Sequence, residues 1–160
     1  TYCYRFNPCK KPAAVAMSPH PRKFLAHART AALTTEGTHT RKGSRFRLGA
    51  VLVDKHVVCS GVNSYKTHPI LRHKTQWPHL HAEQHALIRH GLNNCAGLDL
   101  YVCRILSNDT TMALSKPCSV CIEFIIEARI RTVYYSINSY RYGIFDVTNR
   151  SYKQSRPLHV

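Results

Sequence analysis

Apolar and polar positions along the chain change spacing several times, and each change marks a predicted element. Residues 21–34 carry apolar side chains at helical spacing behind Pro21, a residue suited to the first turn of a helix. The runs 46–54 and 56–63 are rich in valine, meet at a short polar turn and predict a β-hairpin. Residues 1–20 contain three prolines and predict an irregular lead-in.

The second half of the chain alternates helices with strands. A helix is expected from His81 to the residue before Gly91, which ends it. A strand at 98–106 follows, then a helix that opens after Pro117, and then a strand at 130–137. Because helices connect the later strands, the order β-β-α-β-α-β predicts a layered α/β domain in which those strands are parallel.

Composition is that of a globular chain. The 160 residues are 44% hydrophobic, which suits one domain with its own core. The longest apolar runs are too short to span a bilayer, and the N-terminal residues lack the apolar segment of a secretory signal. These features predict a soluble intracellular protein in the cytoplasm, without membrane contact. Because the N-terminal residues are basic, an organelle after processing is the alternative.

The charge is strongly positive and unevenly distributed. The chain has 23 basic and 8 acidic residues, a formal net charge of +15. Its first fifty residues contain ten lysines and arginines against one acidic residue, Glu36. Such a field attracts polyanions, because neutralising their phosphates releases condensed counterions. The alternative is a basic surface that serves only solubility.

Cysteine usage favours metal or catalytic chemistry over a disulfide framework. Seven cysteines, an odd number, are spread along the chain rather than concentrated in a small scaffold. Only Cys118 and Cys121 have a tight ligand spacing. Cys59, Cys95 and Cys103 lie in apolar surroundings and are predicted to be small core residues.

Two short motifs combine into a candidate metal site. Cys118 and Cys121 form a C-x-x-C behind Pro117, at a predicted helix start where the dipole favours thiolates. With His81 they make three protein ligands, which leaves the fourth zinc position open, as in catalytic sites. Glu83, two residues beyond His81, is placed to carry protons. The combined pattern, H-x-E followed by P-C-x-x-C, is the signature of zinc deaminases.

Other interpretations of the histidine-rich segment remain. It could be an amphipathic helix whose polar face carries histidine and glutamine. His81 and His85 could also form a two-histidine zinc face, but that arrangement needs a glutamate directly after the first histidine, where this chain has Ala82.

The sequence resembles the cytidine and deoxycytidylate deaminase superfamily over residues 46–137. The segments "HAE" and "PCSVC" carry the resemblance, with "SGVNS" and "RTVYYS" in support. It implies a three-layer α/β fold, with a central mixed five-stranded sheet flanked by helices. It also implies that Asn63 contacts the substrate sugar, that the backbone N–H of Ala82 faces the base carbonyl, and that the loop around Ser115 lines the pocket.

On this basis the chain divides into three parts within one compact domain. Residues 1–45 are a basic N-terminal extension with a helix, and residues 46–137 are the zinc deaminase core. Residues 138–160 form a basic and aromatic C-terminal segment whose secondary structure the pattern leaves unassigned.

The predicted reaction is zinc-dependent hydrolytic deamination of cytosine to uracil. A nucleic acid substrate, single-stranded DNA or RNA, is favoured because basic and stacking side chains occur together near both termini. The alternatives are a free nucleotide of the deoxycytidylate or cytidine type, adenosine in RNA, and an inactive deaminase fold that binds nucleic acid. The termini could instead serve a homo-oligomer. The terminal residues concerned are Tyr2, Tyr4, Phe6, Tyr140, Arg141, Tyr142, Arg150, Tyr152, Lys153 and Arg156.

A second zinc site is a minor alternative. Cys3 and Cys9 could bind a metal together with His20 or His27. A metal content of two zinc ions per chain would support it, and one ion would leave both cysteines as ordinary thiols.

Overall fold

A single β-sheet, apolar on both faces, forms the centre of the fold. The computed structural model describes residues 21–71 and 79–158. The helices are α1 (Pro21–Leu33), α2 (Ala82–His90) and α3 (Ser119–Glu127). The strands are β1 (Thr38–His39), β2 (Arg45–Val53), β3 (Val57–Val62), β4 (Asp99–Ile105), β5 (Met112–Ala113), β6 (Thr132–Ser136), β7 (Arg141–Asp146) and β8 (Ser151–Pro157). Short 3-10 turns span Pro69–Leu71 and Leu92–Asn94.

The sheet is mixed, and its order is β1-β2-β4-β6-β7-β8, with β3 paired to β2 and β5 paired to β4. Strands β4 and β6 are parallel, as expected for strands that a helix connects, and the other pairs are antiparallel. The predicted α/β class and central mixed sheet are therefore confirmed.

The implied count of five strands is wrong, because the described residues alone form a sheet of eight strands. Two of the strands, β1 and β5, have only two residues each, too few for a periodic pattern. The C-terminal hairpin of β7 and β8 was also unassigned, because β8 is exposed along most of its length and shows no apolar alternation.

Helices cover both faces of the sheet. Phe24, Leu25 and Ala28 of α1 pack with Val51 and Tyr101 on one face. On the other face, Ala86 and Leu87 of α2 and Phe124 of α3 pack with Leu52 and Val102. Covered on both sides, β2 has seven consecutive buried residues, which explains its unbroken apolar run. No helix within the described ranges is long and apolar enough to cross a membrane.

Helix α2 lies directly on the backbone of β3. A Cβ atom added to Gly61 would overlap the backbone of Ala86 and the carbonyl oxygen of Ala82. Since a helix backbone cannot rotate away as a side chain can, Gly61 determines how closely α2, and with it His81, approaches the sheet.

Replacing Gly61 with alanine should lower the free energy of unfolding by about 2–3 kcal/mol, because the added methyl group must push α2 outward. Chemical denaturation measures the loss. Gly97→Ala is the control, since a Cβ there meets nothing within 4 Å and costs only the strain of a φ of +80°, about 1 kcal/mol. Equal losses in the two variants would show that the close approach of α2 does not matter.

Candidate active site

Three potential metal ligands come together where two helices begin. His81 precedes α2 as its N-cap, Cys118 is the N-cap of α3, and Cys121 lies in the first turn of α3. The Nδ1 atom of His81 lies 3.6 Å from the Sγ of Cys118 and 3.3 Å from the Sγ of Cys121. Ligands of a tetrahedral zinc ion, bound at 2.0–2.3 Å, are separated by about 3.5 Å. The donor set of one imidazole and two thiols therefore fits zinc.

Hydrogen bonds at the N-terminal ends of α2 and α3 position these side chains. The backbone N–H of His81 donates to the Oε1 of Gln84 at 3.0 Å, which satisfies one amide at the entry of α2. The backbone N–H of Cys121 donates to the Sγ of Cys118 at 3.5 Å. Hydrogen bonds from the Cys121 thiol and then from His81 lower the pKa of Cys118 to about 4, so this sulfur is a thiolate ready to bind a cation.

The alternative metal face of His81 and His85 is not formed. The Nδ1 of His85 lies 3.1 Å from both the backbone N and the backbone O of Val62, so this ring contacts β3. Among the residues in the described ranges, the group that could hold a metal comprises His81, Cys118 and Cys121. The geometry therefore favours the group of His81, Cys118 and Cys121 over the two-histidine face.

Glu83 is a buried carboxyl group beside the potential ligands. Glu83 is 3% exposed, and its Oε2 atom has no hydrogen-bond partner among the residues described. Burial raises the pKa of this carboxyl group above its ordinary value. A buried polar atom without a partner is costly, so an unused carboxyl oxygen here indicates a place for a ligand or a water molecule.

A cavity of about 420 Å³ opens beside this group. Its size falls within the range of small-molecule sites. Its walls are formed by apolar and polar side chains from β1, from β2, from the segment between β3 and α2, and from the starts of α2 and α3. They are Thr38, His39, Phe46, Leu48, Asn63, Tyr65, His79, Leu80, His81, Ala82, Glu83, Lys116 and Cys118.

Two of the predicted substrate contacts line this cavity. Ala82 is the first residue of α2, and N–H groups in a first helical turn have no intrahelical acceptor. The amide of Asn63 is largely occupied within the fold: its Oδ1 accepts from the N–H of Leu48 at 2.7 Å, and its Nδ2 donates to the oxygen of Phe46 at 2.7 Å. A longer bond of 3.3 Å joins Nδ2 to Thr38 and is the one that a sugar hydroxyl could replace.

Ser115 lies outside the set of residues that line the cavity. Its hydroxyl group is buried and donates to the carbonyl oxygen of Val102 at 2.8 Å, and it lies 2.9 Å from the hydroxyl of Ser136. The neighbouring Lys116 lines the cavity instead. The roles of Glu83, Asn63, Ala82 and Ser115 remain predictions.

Some wall residues were missing from the sequence prediction. Lys116 directly precedes Pro117, which opens the P-C-x-x-C motif, and this position is the one signal that could have pointed to it. Its Nζ lies 3.9 Å from the ring centroid of Tyr152 on β8. Tyr65 and His79 meet edge to face, with ring centroids 5.3 Å apart, and the spacing of apolar residues gives no hint of either.

Two sequence predictions about the other cysteines remain, the core cysteines and the alternative second zinc site. Cys95 and Cys103 are buried as predicted, and burial raises the pKa of each thiol to about 11, while Cys59 is half-buried. Cys3, Cys9 and His20 of the alternative second zinc site lie outside the described residues.

A group of side chains that fits zinc and a buried glutamate lie beside one cavity, and this combination resembles the sites of zinc-dependent deaminases. A model of the cytidine and deoxycytidylate deaminase zinc-binding region matches residues 20–137. The chain therefore belongs to the cytidine and deoxycytidylate deaminase family.

Two solved structures illustrate the similarity. The dCMP deaminase of cyanophage S-TIM5, in apo form, is 21% identical, with 73% of this chain and 82% of that chain covered and a TM-score of 0.49. The cytidine deaminase of Burkholderia pseudomallei is 16% identical, with 79% and 92% covered and a TM-score of 0.49. Comparison with the curated proteins finds none that matches this chain significantly.

Proposed function

We propose that the protein is a hydrolytic deaminase that converts cytosine to uracil in single-stranded nucleic acid. The observation that carries the chemistry is the buried Glu83, which lines one cavity with the potential ligands His81 and Cys118. Its Oε2 atom has no hydrogen-bond partner in the part of the chain that the structure describes. Zinc held by His81, Cys118 and Cys121 supplies Lewis-acid activation of water when it is bound. Family membership supports cytosine as the base.

Glu83 is the proton carrier in this proposal. Hydrolysis adds water at the ring carbon that bears the amino group, and ammonia leaves. The carboxylate accepts a proton from the water at Oε2 and returns it to the departing amino group. The raised pKa of Glu83 helps the carboxyl group hold the proton between the two transfers, because burial stabilises the neutral form.

The other residues of the cavity bind and orient the base. The N–H of Ala82 is available to donate to the base carbonyl oxygen, at the positive end of the α2 dipole. Phe46 and Leu48 offer an apolar wall against which a flat ring can pack. Asn63 exchanges its long bond to Thr38 for a sugar hydroxyl.

Two observations support a polynucleotide over a free nucleotide. The net charge of +15 far exceeds what one phosphate requires. Tyr65, which lines the cavity, is 53% exposed, and its ring could stack on a base next to the target.

Free deoxycytidylate is the second candidate. Lys116 is an exposed cation that lines the cavity, and a single cation is suited to a single phosphate. This observation accounts for one positive charge near the base and leaves the rest of the basic surface without a role.

The proposal is tested by ammonia release from single-stranded DNA, RNA, deoxycytidylate and cytidine, each at low and raised salt. We expect turnover of a polynucleotide that falls steeply with salt, because many phosphate contacts are made. Turnover of deoxycytidylate alone, with little salt dependence, would contradict the polynucleotide substrate and favour the second candidate.

The contact between Lys116 and Tyr152 gives a further prediction. Replacing Tyr152 with leucine should raise KM about two- to fivefold, with kcat little changed, because the lysine loses the ring that holds it near the cavity. Steady-state kinetics measure both constants. Tyr152→Phe keeps an aromatic face and should restore a normal KM. A phenylalanine variant that behaves like the leucine variant would exclude the cation–π contact as the cause.

A further inference from the structure

We infer that a basic groove beside the cavity binds backbone phosphates of the strand whose cytosine enters the cavity. This inference rests on the proposed function and specifies where the strand leaves the site. The groove lies between the residues that follow β1 and the end of β4, and we call it the β1–β4 groove. Its cations are Arg41, Lys42, Arg45 and Arg104, and none of its lining residues in the described chain is acidic.

Two of these guanidinium groups have unused donors. The Nε atoms of Arg45 and Arg104 are buried and have no hydrogen-bond partner among the described residues. Arg45 pairs at 3.1 Å with Glu36, whose side chain is 94% exposed, so this surface ion pair is weak. Arg104 lies over the ring of Phe46, 4.2 Å from its centroid, and desolvation lowers the pKa of the guanidinium. An anion in the groove would compensate both charges.

The β1–β4 groove adjoins the cavity through residues that contact each other or follow each other along the chain. Phe46 lines the cavity and also contacts Arg104, which lines the groove. Thr38 and His39 line the cavity, and the chain passes from them directly into the groove at Thr40. A nucleotide seated in the cavity therefore has its neighbours along the strand within reach of the groove.

The distribution of cations favours several phosphates over one. Arg41, Lys42 and Arg45 come from one loop and the start of β2, while Arg104 comes from β4. The single phosphate of a free nucleotide would engage only part of this set, whereas successive phosphates of a strand can meet all four. Thr40 and Ser44 add hydroxyl groups that can donate to phosphate oxygens.

The test is binding of a single-stranded oligothymidylate, which contains no cytosine, followed by fluorescence anisotropy over a range of salt concentrations. The variant Arg41→Glu/Lys42→Glu should bind about tenfold more weakly at low salt, and the salt slope should fall by about 1.4, the value for two phosphate contacts. Arg104→Gln, which loses one charge, should lower the slope by about 0.7.

The matched control is Arg22→Glu/Lys23→Glu, an identical charge change at two exposed positions at the start of α1. These residues belong to the layer on the sheet face away from Phe46, and acidic residues suit a helix N-terminus. We expect the control to change binding less than twofold. Circular dichroism and zinc content verify that every variant is folded.

Two results would overturn the inference. Equal losses in the groove variant and the control would show that only the overall charge matters. Equal weakening of deoxythymidine monophosphate and oligothymidylate by Arg104→Gln would assign the groove to one phosphate of a free nucleotide. Because neither probe contains cytosine, these binding results do not test the proposed deamination. Conversely, a protein that fails to deaminate cytosine could still bind oligothymidylate in the groove, so the two proposals can fail separately.

Discussion

Replacing Glu83 with glutamine should lower the rate of cytosine deamination by about 10²–10⁴-fold, the range that a positioned general acid–base supplies. The amide has nearly the same shape as the carboxyl group but cannot accept and return the proton. Since Glu83 lies beside the potential ligands without belonging to the group that could hold a metal, zinc content should stay at about one ion per chain. Ammonia release under single-turnover conditions, with metal analysis, measures both quantities.

Glu123→Gln provides the matched control, because Glu123 is an exposed glutamate on α3 and undergoes the same chemical change. Its activity should equal that of the unaltered protein. Substantial turnover by the Glu83→Gln variant would mean that another group carries the proton, and the proposed mechanism would then be wrong.

Loss of the metal is the second large effect that we expect. Replacing Cys121 with serine should reduce bound zinc from about one ion per chain to almost none, because a neutral hydroxyl is a poor substitute for a thiolate ligand. Deamination should fall to background. The melting temperature should also drop, since zinc bound by this group would join the starts of α2 and α3 and stabilise the folded state.

Cys59→Ser is the control for this variant, because Cys59 is half-buried and lies outside the ligand group. It should keep both zinc and activity. A Cys121→Ser variant that holds stoichiometric zinc would show that the metal binds elsewhere, and the assignment of His81, Cys118 and Cys121 as its ligands would fail.

The candidate metal group was the most predictable part of this molecule because its residues are encoded in short local motifs. His81 and Glu83 are two residues apart, and Cys118 and Cys121 are three apart, so short motifs carry both halves of the metal group. Gly91 marked the C-terminal end of α2, and Pro117 marked the start of α3. The structure brings the two halves to within 3.6 Å, as the combined motif implied.

Features that depend on pairing across long stretches of sequence were not predictable. Arg104 stacks on Phe46, and Lys116 lies on the ring of Tyr152, yet neither pair is close in sequence. Their contacts depend on the sheet register of β2 with β4 and on the C-terminal hairpin of β7 and β8. That hairpin has no apolar alternation on its outer strand, so the spacing of residues could not reveal it.

Buried polar contacts were also hidden from the sequence. The family resemblance implied that the loop around Ser115 lines the pocket, and the structure shows the Ser115 hydroxyl group buried against Val102 and Ser136. Asn63, which follows β3, bonds to the backbone of β2 through both ends of its amide and also lines the cavity. A residue's hydrogen-bond partners depend on the final packing, which sequence spacing alone does not specify.

The most direct test of the central claim is the mass of a single-stranded oligonucleotide with one cytosine, before and after incubation with the zinc-loaded protein. We expect this cytosine to become uracil, with one ammonia released for each conversion, and we expect the Glu83→Gln variant to leave the strand unchanged. An oligonucleotide that keeps its cytosine, together with unchanged deoxycytidylate and cytidine, would contradict the account.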